Sequence, residues 1–418
     1  MTQDTAPTAF HSYAVRVKHI VHCHRVLVDL KSIPMHLFHR LSNLESARIE
    51  SRASGEVALR MSLAVRLRAL ALQVGYTKSN PTSMTVHGMM SLLKGCSSLE
   101  QLSIRGHSSK CLHMPLSSIT TLRSLSLHLS SLTEQSFMTV STFRLLAHFD
   151  VHADHLSCAY LSTAIARTCG APFFPALEKL KIRAQPALIA LLLQRLPQHK
   201  LRSLHIDATG SGPSAFHGLF KAMATLPLHE FTLEHTIPID ESDDIPAYTP
   251  DQFFTLDHLR PLSKLPLRCF VLDSSLPPDL SDPAIEEMTK WWPLLDRLQF
   301  GACTALENVD ATWKPRSSLA SLSALARGCK HLDRLVITLD LDSLLLPDLA
   351  AVPLGSHPLA SLSISSRFRP DVPLLSEMLS RTFPSLVDVT PGFVGEHEDA
   401  WVAVQATLSD LQVVQKSL

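Results

Sequence analysis

The sequence lacks net charge, since its 418 residues hold 38 Lys and Arg against 38 Asp and Glu. A neutral chain has no overall electrostatic attraction for nucleic acid or for an anionic membrane, so we expect neither as a partner. Aromatic residues make up only 6% of the chain, and the core is expected to be built mainly from leucine. The 14 glycines and 27 prolines indicate many short loops.

Dense cysteine motifs and long apolar runs are missing as well. The eight cysteines are scattered and form no C-x-x-C pair, which is typical of a protein in a reducing compartment. The longest apolar run, ALIALLL at 187–193, is too short to cross a bilayer, and the first residues lack the pattern of a secretory signal. We therefore expect an intracellular protein, in the cytoplasm, the nucleus or both.

One six-residue pattern recurs along the chain. In FPALEKLKIRA (174–184), the apolar residues Leu177, Leu180 and Ile182 are spaced by three and then by two. This spacing fits neither a helix nor a strand throughout, but it matches L-x-x-L-x-L, the strand signature of a leucine-rich repeat. Copies begin at positions 44, 67, 99, 122, 146, 177, 201, 228, 267, 295, 332, 359 and 386, with an irregular first copy at 17. Twelve steps thus cover 342 residues, about 28.5 residues each.

Stacking is required of such repeats, because one repeat alone cannot bury its apolar side chains. The sequence predicts an α/β fold: a leucine-rich-repeat solenoid shaped as a curved horseshoe, with parallel strands on the concave face and helices or loops on the convex face. We expect about 12–14 repeats over residues 1–395, with an irregular first repeat and an acidic insertion near 238–254. A capping helix is expected over residues 396–418.

Three helix ends are predicted in more detail. The segments KGC (94–96) and RGC (327–329) place glycine after a basic residue, where we expect it to adopt the left-handed conformation that ends many helices. In SDPAIEEMTK (281–290), Asp282 is predicted to be the N-cap residue and Pro283 the first residue of a helix.

The segments KGCSSLEQLSI (94–104) and RGCKHLDRLVI (327–337) resemble the cysteine-containing leucine-rich repeats of F-box proteins. The segments FHSYAVRVKHI (10–20) and KWWPLLDRLQF (290–300) look like the repeat domains of fungal, basidiomycete-type F-box proteins. The resemblance implies a substrate-recognition subunit of a cullin-based ubiquitin ligase. The F-box itself is not evident before Phe10, so a ligase adaptor is expected as a partner only if an F-box is supplied elsewhere.

Polar side chains that alternate with the core leucines are expected on the concave face, the usual recognition surface of solenoids. The first set is basic and rich in histidine, and comprises Arg105, His128, His148, Asp150, His152, Lys179, Lys181 and Arg183. An acidic set follows, with His205, Asp207, Glu230, Glu234 and Asp273. This polarity favours a charged protein partner, with the basic part meeting acidic peptide or phosphate. Three alternatives stay open: ordinary solvated charge, a receptor for a small anionic or phosphorylated ligand, and a degenerate paralogue without a partner.

No catalytic, metal or cofactor site is predicted. The histidines of HIVHCH (19–24) and HADH (152–155) have no second cluster with the spacing of a zinc site. Cys96 and Cys329 have no fixed base beside them, and the sequence contains no G-x-S-x-G, P-loop or G-x-G-x-x-G motif. We therefore expect a protein-interaction scaffold rather than an enzyme, with protein partners that the sequence does not name.

Overall fold

In the computed structural model of the chain, the residues described are 13–14, 16–22, 43–51, 66–74, 96–106, 112–167, 172–210, 212–237, 249–301, 309, 313–342, 357–392 and 397–417. The chain divides into two compact units. Unit one comprises Met1–Ala184 and Gln194–Leu201, and unit two comprises Gln185–Leu193 and Arg202–Leu418.

Fourteen strands lie within the described residues, all parallel and in the order of the chain. Unit one contains β1 (His19–His22), β2 (Ser46–Ser51), β3 (Ala69–Val74), β4 (Gln101–Gly106), β5 (Ser124–Leu129), β6 (His148–His152) and β7 (Lys179–Arg183). Unit two contains β8 (Ser203–Thr209), β9 (Glu230–Thr236), β10 (Cys269–Ser274), β11 (Arg297–Phe300), β12 (Arg334–Thr338), β13 (Ser361–Ser365) and β14 (Asp388–Pro391).

Helices connect many of these strands, as a parallel sheet requires. The described α-helices are α1 (His113–Leu116), α2 (Glu134–Ser141), α3 (Cys158–Arg167), α4 (Pro186–Leu193), α5 (His217–Met223), α6 (Leu256–Leu259), α7 (Asp282–Trp291), α8 (Leu319–Gly328), α9 (Val372–Thr382) and α10 (Glu398–Ser417). Short 3-10 turns cover Pro213–Phe216, Pro250–Gln252 and Arg260–Lys264.

The predicted repeat is confirmed strand by strand. Every copy of the motif, including the irregular first one, begins two residues before a strand. In the repeat of β7, Leu177, Leu180 and Ile182 are each 1% exposed or less, and the alternate side chains of the strand are not buried. The spacing of three and then two therefore arises because a first leucine is buried before the strand and two more alternate within it. Each unit is a stack of leucine-rich repeats.

We call the residue that follows the first motif leucine, immediately before the strand, the pre-strand position. Main-chain hydrogen bonds at this position fix the register between consecutive repeats. In each unit, the carbonyl oxygen at this position accepts two hydrogen bonds from the next repeat, with N···O distances of 2.7–3.2 Å. The Arg68 carbonyl, for example, accepts the amides of Glu100 and Gln101, both at 2.8 Å. Because only main-chain atoms take part, this register does not depend on the side chain at the pre-strand position.

The helix end predicted at RGC (327–329) is confirmed, but the conformation expected of its glycine is not. Helix α8 does end at Gly328, but this glycine has no positive φ, so the left-handed conformation is not the reason for it. An ideal Cβ at Gly328 would instead overlap the Thr289 side chain of α7, so glycine allows two helices to approach closely. Residues 94–95 of the second predicted end lie outside the described residues.

Asp282 is the first residue of α7 and not its N-cap, which is Ser281. The Asp282 carboxylate accepts hydrogen bonds from the amide and hydroxyl of Ser318 at 2.8 and 2.7 Å, and from the Ser321 hydroxyl at 2.5 Å. Since Ser318 is the N-cap of α8, this aspartate ties the start of one helix to the start of the next. The local sequence favoured an N-cap role for Asp282. Its donors, Ser318 and Ser321, belong to the next repeat, so no residue near Asp282 in the sequence indicates them.

Helix α10 lies beside the last strand, and its Trp401, Val404 and Leu408 are buried. The primary amide of Gln405 donates to the carbonyl of Val387 at 2.9 Å and accepts the amide of Val389 at 2.7 Å. Val387 occupies the pre-strand position of β14. In the preceding repeats of this unit, the carbonyl at this position accepts hydrogen bonds from the next repeat. One glutamine side chain thus satisfies main-chain groups at the edge of the sheet. The proposed division of domains at residue 395 stays a prediction.

Candidate functional site

The strand face of unit one holds the first set of predicted site residues. Arg105 lies opposite His128 in the register of β4 and β5, and His152 lies opposite Arg183 in that of β6 and β7. Their side chains alternate with the buried leucines, so they share the face of the sheet that the core does not use. The structure therefore brings Arg105, His128, Asp150 and His152 together.

Hydrogen bonds and ring stacking join these four side chains. The Arg105 guanidinium lies 3.3 Å from Nδ1 of His128, and Nε2 of the same ring lies 2.9 Å from the Asp150 carboxylate. Because a carboxylate only accepts, Nε2 of His128 is the donor to Asp150. The rings of His128 and His152 stack, with centroids 4.2 Å apart and planes 16° from parallel.

The electrostatics of this cluster keep its carboxylate charged and its second histidine neutral. Burial opposes the charge on Asp150, but the hydrogen bond and charge of His128, with Lys181 and His152 beside it, outweigh burial and lower the pKa of the carboxyl. Burial lowers the pKa of His152, and the neighbouring His128 and Arg183 lower it further. A stacked pair of this kind is compatible with at most one charged ring, because like charges repel at this distance.

The remaining basic residues lie on β6 and β7. His148, Lys179 and Lys181 are exposed, and Arg183 is partly exposed, with its Nε 3.1 Å from the Asp154 carboxylate. Within the described residues, neither Lys179 nor Lys181 forms a salt bridge. Among the described residues of this face, Arg105 on β4 and the two lysines on β7 therefore carry positive charge without a salt bridge, and Lys181 lies opposite Asp150 and lowers the pKa of its carboxyl.

Two residues of this face escaped sequence reasoning. Asp154, the partner of Arg183, follows β6 by two residues and is the only acid in HADH (152–155), which was considered for its histidines alone. The Ser126 hydroxyl lies 3.5 Å from the Asp150 carboxylate and was not among the predicted site residues. Alternation with Leu125 and Leu127 is the signal that could have placed it on the face.

In unit two the acidic set also lies on the strand face. Asp207, Glu234 and Asp273 are in register on β8, β9 and β10, and Glu230 is exposed at the start of β9. His205 Nε2 lies 2.8 Å from the Glu234 carboxylate. Burial raises the pKa of Asp273, and the charge of Glu234 raises it further. On this face His205 therefore pairs with the Glu234 carboxylate, while burial and the nearby Glu234 charge favour the protonated form of Asp273.

Metal binding has no support in the part of the chain that is described, where no group of three or more His, Cys, Asp or Glu side chains is arranged to hold an ion. A search of the same residues finds no helix long and apolar enough to cross a membrane. The arrangement on the strand face is suited to binding by charge and hydrogen bonding.

Comparison with known proteins gives distant structural likenesses. No protein-family model matches the chain, and no curated protein matches it by sequence. Its fold is similar to an internalin (InlF) of Listeria monocytogenes, with 12% identity, a TM-score of 0.38, and coverage of 95% of this chain and 87% of that one. It is also similar to a chain of the Rad7 and Elc1 complex of yeast, with 13% identity, a TM-score of 0.40, and coverage of 86% and 78%. The leucine-rich-repeat fold itself rests on the strand register and burial described above.

Proposed function

We propose that the chain is a protein-interaction scaffold that binds an acidic segment of a partner protein on the strand face of unit one. The observation that carries this proposal is the pair of exposed lysines on β7, Lys179 and Lys181, which have no salt-bridge partner among the described residues. Two adjacent positions on one strand face present their ammonium groups in the same direction, so they suit a partner with closely spaced carboxylates.

The neighbouring cluster supports the same proposal. Arg105, His128, Asp150 and His152 satisfy one another by hydrogen bonds and stacking, so they form an ordered platform beside the lysines. A small anion gripped by the same histidines, the alternative interpretation, would have to compete with the Asp150 carboxylate for His128. A protein segment that reaches Lys179 and Lys181 leaves this internal network intact.

Charge reversal at both lysines tests the proposal. Tagged protein and the Lys179→Glu/Lys181→Glu variant are used to capture partners from the host, with crosslinking and mass spectrometry as the readout. The matched control is Lys221→Glu/Lys290→Glu, which reverses two exposed lysines on helices α5 and α7. We expect partners that are lost in the first variant, retained in the control, and released by salt. Equal retention in both variants would contradict the proposal.

We further propose a ligase role, supported by the resemblance of KGCSSLEQLSI (94–104) and RGCKHLDRLVI (327–337) to F-box repeat proteins. In that role the strand face selects a substrate for ubiquitin transfer, in the cytoplasm or the nucleus. Co-purification of a ligase adaptor and a cullin with the tagged chain is the expected result. If neither co-purifies while partners sensitive to Lys179 and Lys181 do, the ligase role fails and the scaffold role stands.

A further inference from the structure

The pre-strand positions of unit one form a second charged surface, at the opposite end of the strands from Arg105 and Arg183. A groove of about 590 Å³ opens there, at the edge where β2 to β5 begin. Its charged lining comprises Glu45, Arg66, Arg68, Glu100 and Arg123. Neighbouring strands are only about 4.8 Å apart, so side chains at successive pre-strand positions reach into the same space.

The charges of this groove do not cancel. Glu45 is already matched by Lys18, with an Nζ···Oε1 distance of 3.1 Å. Arg66 donates to the side-chain carbonyl of Asn43 at 3.2 Å, which leaves its positive charge unbalanced. Within the described residues, Arg68, Arg123 and Glu100 form no salt bridge. With Lys18 counted beside the three arginines of the lining, four cations stand against the carboxylates of Glu45 and Glu100, an excess of two positive charges around the groove.

Uncharged groups complete the lining. Ser97 and Ser98 add hydroxyl groups at the point where the chain leads into the repeat of β4. The Thr121 hydroxyl is already engaged, donating to the Leu99 carbonyl at 2.7 Å. Leu145, 44% exposed, supplies an apolar surface within the groove. The groove thus combines cations, hydroxyl donors and one apolar contact.

We propose that this groove binds a phosphate monoester. Such a group carries about −1.5 to −2 charges at pH 7, which matches the excess of two positive charges, whereas a single carboxylate would match half of it. Guanidinium groups bind phosphate oxygens through paired hydrogen bonds, and the two serines can donate to the remaining oxygen. Leu145 is then placed to contact the organic part that bears the phosphate. This site is separate from Lys179 and Lys181, so it stands or falls independently of the proposed function.

Phosphorus NMR titration tests the proposal at low ionic strength, where exposed charges are least screened. The probes are inorganic phosphate and acetyl-Ala-phosphoserine-Leu-amide. The controls are the same peptide with Ser or Asp in place of phosphoserine. Because the control peptides contain no phosphorus, their binding is measured from changes in the NMR signals of the protein. We expect the phosphopeptide to bind and the Ser peptide not to bind. Tighter binding of the phosphopeptide than of inorganic phosphate would identify a partner's phosphorylated segment as the source, and equal binding would identify a small phosphate.

Single substitutions locate the site. Arg68→Gln and Arg123→Gln are each expected to weaken probe binding about tenfold, because each removes a charge-assisted hydrogen bond. The matched control is Arg268→Gln, an exposed arginine at the pre-strand position of β10 in unit two, which is expected to change nothing. Unchanged circular-dichroism melting of each variant shows that the fold is intact.

Three results would overturn the proposal. The first is an absence of any response at about 10 mM probe, since even a dissociation constant of about 1 mM would be detected there. The second is an Asp peptide that binds as tightly as the phosphopeptide, which would assign the groove to carboxylates. The third is an Arg268→Gln variant that weakens binding as much as Arg68→Gln, which would indicate attraction without a site.

Discussion

Replacing Gly328 with alanine is expected to destabilise unit two, although alanine favours helices more than glycine does. Gly328 is the last residue of α8, and an ideal Cβ there would overlap both Cβ and Oγ1 of Thr289 on α7. Rotating Thr289 does not remove the overlap, because its Cβ is fixed to the backbone of α7. The two helices must therefore move apart, or their side chains must leave their preferred rotamers.

The magnitude follows from two opposing contributions. Forcing an extra methyl group into a packed contact costs about 1–3 kcal/mol, and the higher helix propensity of alanine returns up to about 1 kcal/mol. We expect a net loss of about 1–2 kcal/mol in the free energy of unfolding. The matched control is Gly218→Ala in α5, where an ideal Cβ meets nothing within 4 Å. There the propensity acts alone, and a gain of about 0.5–1 kcal/mol is expected.

Tryptophan fluorescence during urea unfolding is the assay. The chain has four tryptophans, and all lie in unit two: Trp291, Trp292, Trp313 and Trp401. The signal therefore follows the unit that carries both substitutions, and the shift of the urea midpoint gives the change in free energy if the slope is unchanged.

A double substitution isolates the contact. In a Thr289→Gly background the overlapping atoms are gone, so Gly328→Ala should cost little or become favourable. A wild-type-like stability of Gly328→Ala would refute the close-approach explanation. So would an equal loss with and without the Thr289→Gly substitution, since the cost would then come from the backbone at Gly328 itself.

Two further predictions concern unit two. Gln405→Leu keeps the size of the side chain but removes the hydrogen bonds to Val387 and Val389, and we expect a loss of about 1–3 kcal/mol in urea unfolding. Asp410→Leu, at an exposed position of the same helix, controls for the added leucine, and equal stability of both variants would contradict the role of Gln405 at the sheet edge. His357 donates from Nε2 to the Cys329 carbonyl and accepts the Leu359 amide at Nδ1, and burial lowers its pKa. The unfolded chain therefore binds this proton more tightly than the folded chain does. The stability that neutral His357 contributes is complete above about pH 6.5 and is lost as the pH falls below it. Unfolding free energies from pH 5 to 7.5 should rise more steeply for the wild type than for His357→Leu, and parallel curves would count against it.

The fold was predictable because its determinants are local and repeated. A leucine two residues before a strand and two apolar residues within it recur in the repeats of β2 to β13, and burial of Leu177, Leu180 and Ile182 needs no distant partner to be inferred. The alternation that buries these side chains also placed Arg105 and Lys179 on the opposite face. Face and register therefore follow from the repeat motif alone.

Contacts between repeats were not predictable in the same way. The role of Asp282 depends on Ser318 and Ser321, which follow it by 36 and 39 residues, and no local pattern indicates them. Gly328 does end a helix as predicted, but glycine is needed there because of Thr289, which lies on another helix. The groove at Arg68 and Arg123 was not predicted, because the repeat motif indicates which strand residues share a face and gives no sign that residues just before successive strands line one groove.

The pre-strand carbonyls have a consequence for how such a chain can change over time. Acidic, basic, aliphatic and imidazole side chains all occupy this position, as Glu45, Arg68, Ala147 and His229 show, while the pair of main-chain hydrogen bonds is the same. Substitutions there alter the surface and leave this pair of hydrogen bonds, with the register that it fixes, unchanged. Mutation can therefore change the surface charge at this edge of the sheet one repeat at a time. Selection can then act on what the edge binds while the register of the repeats is kept.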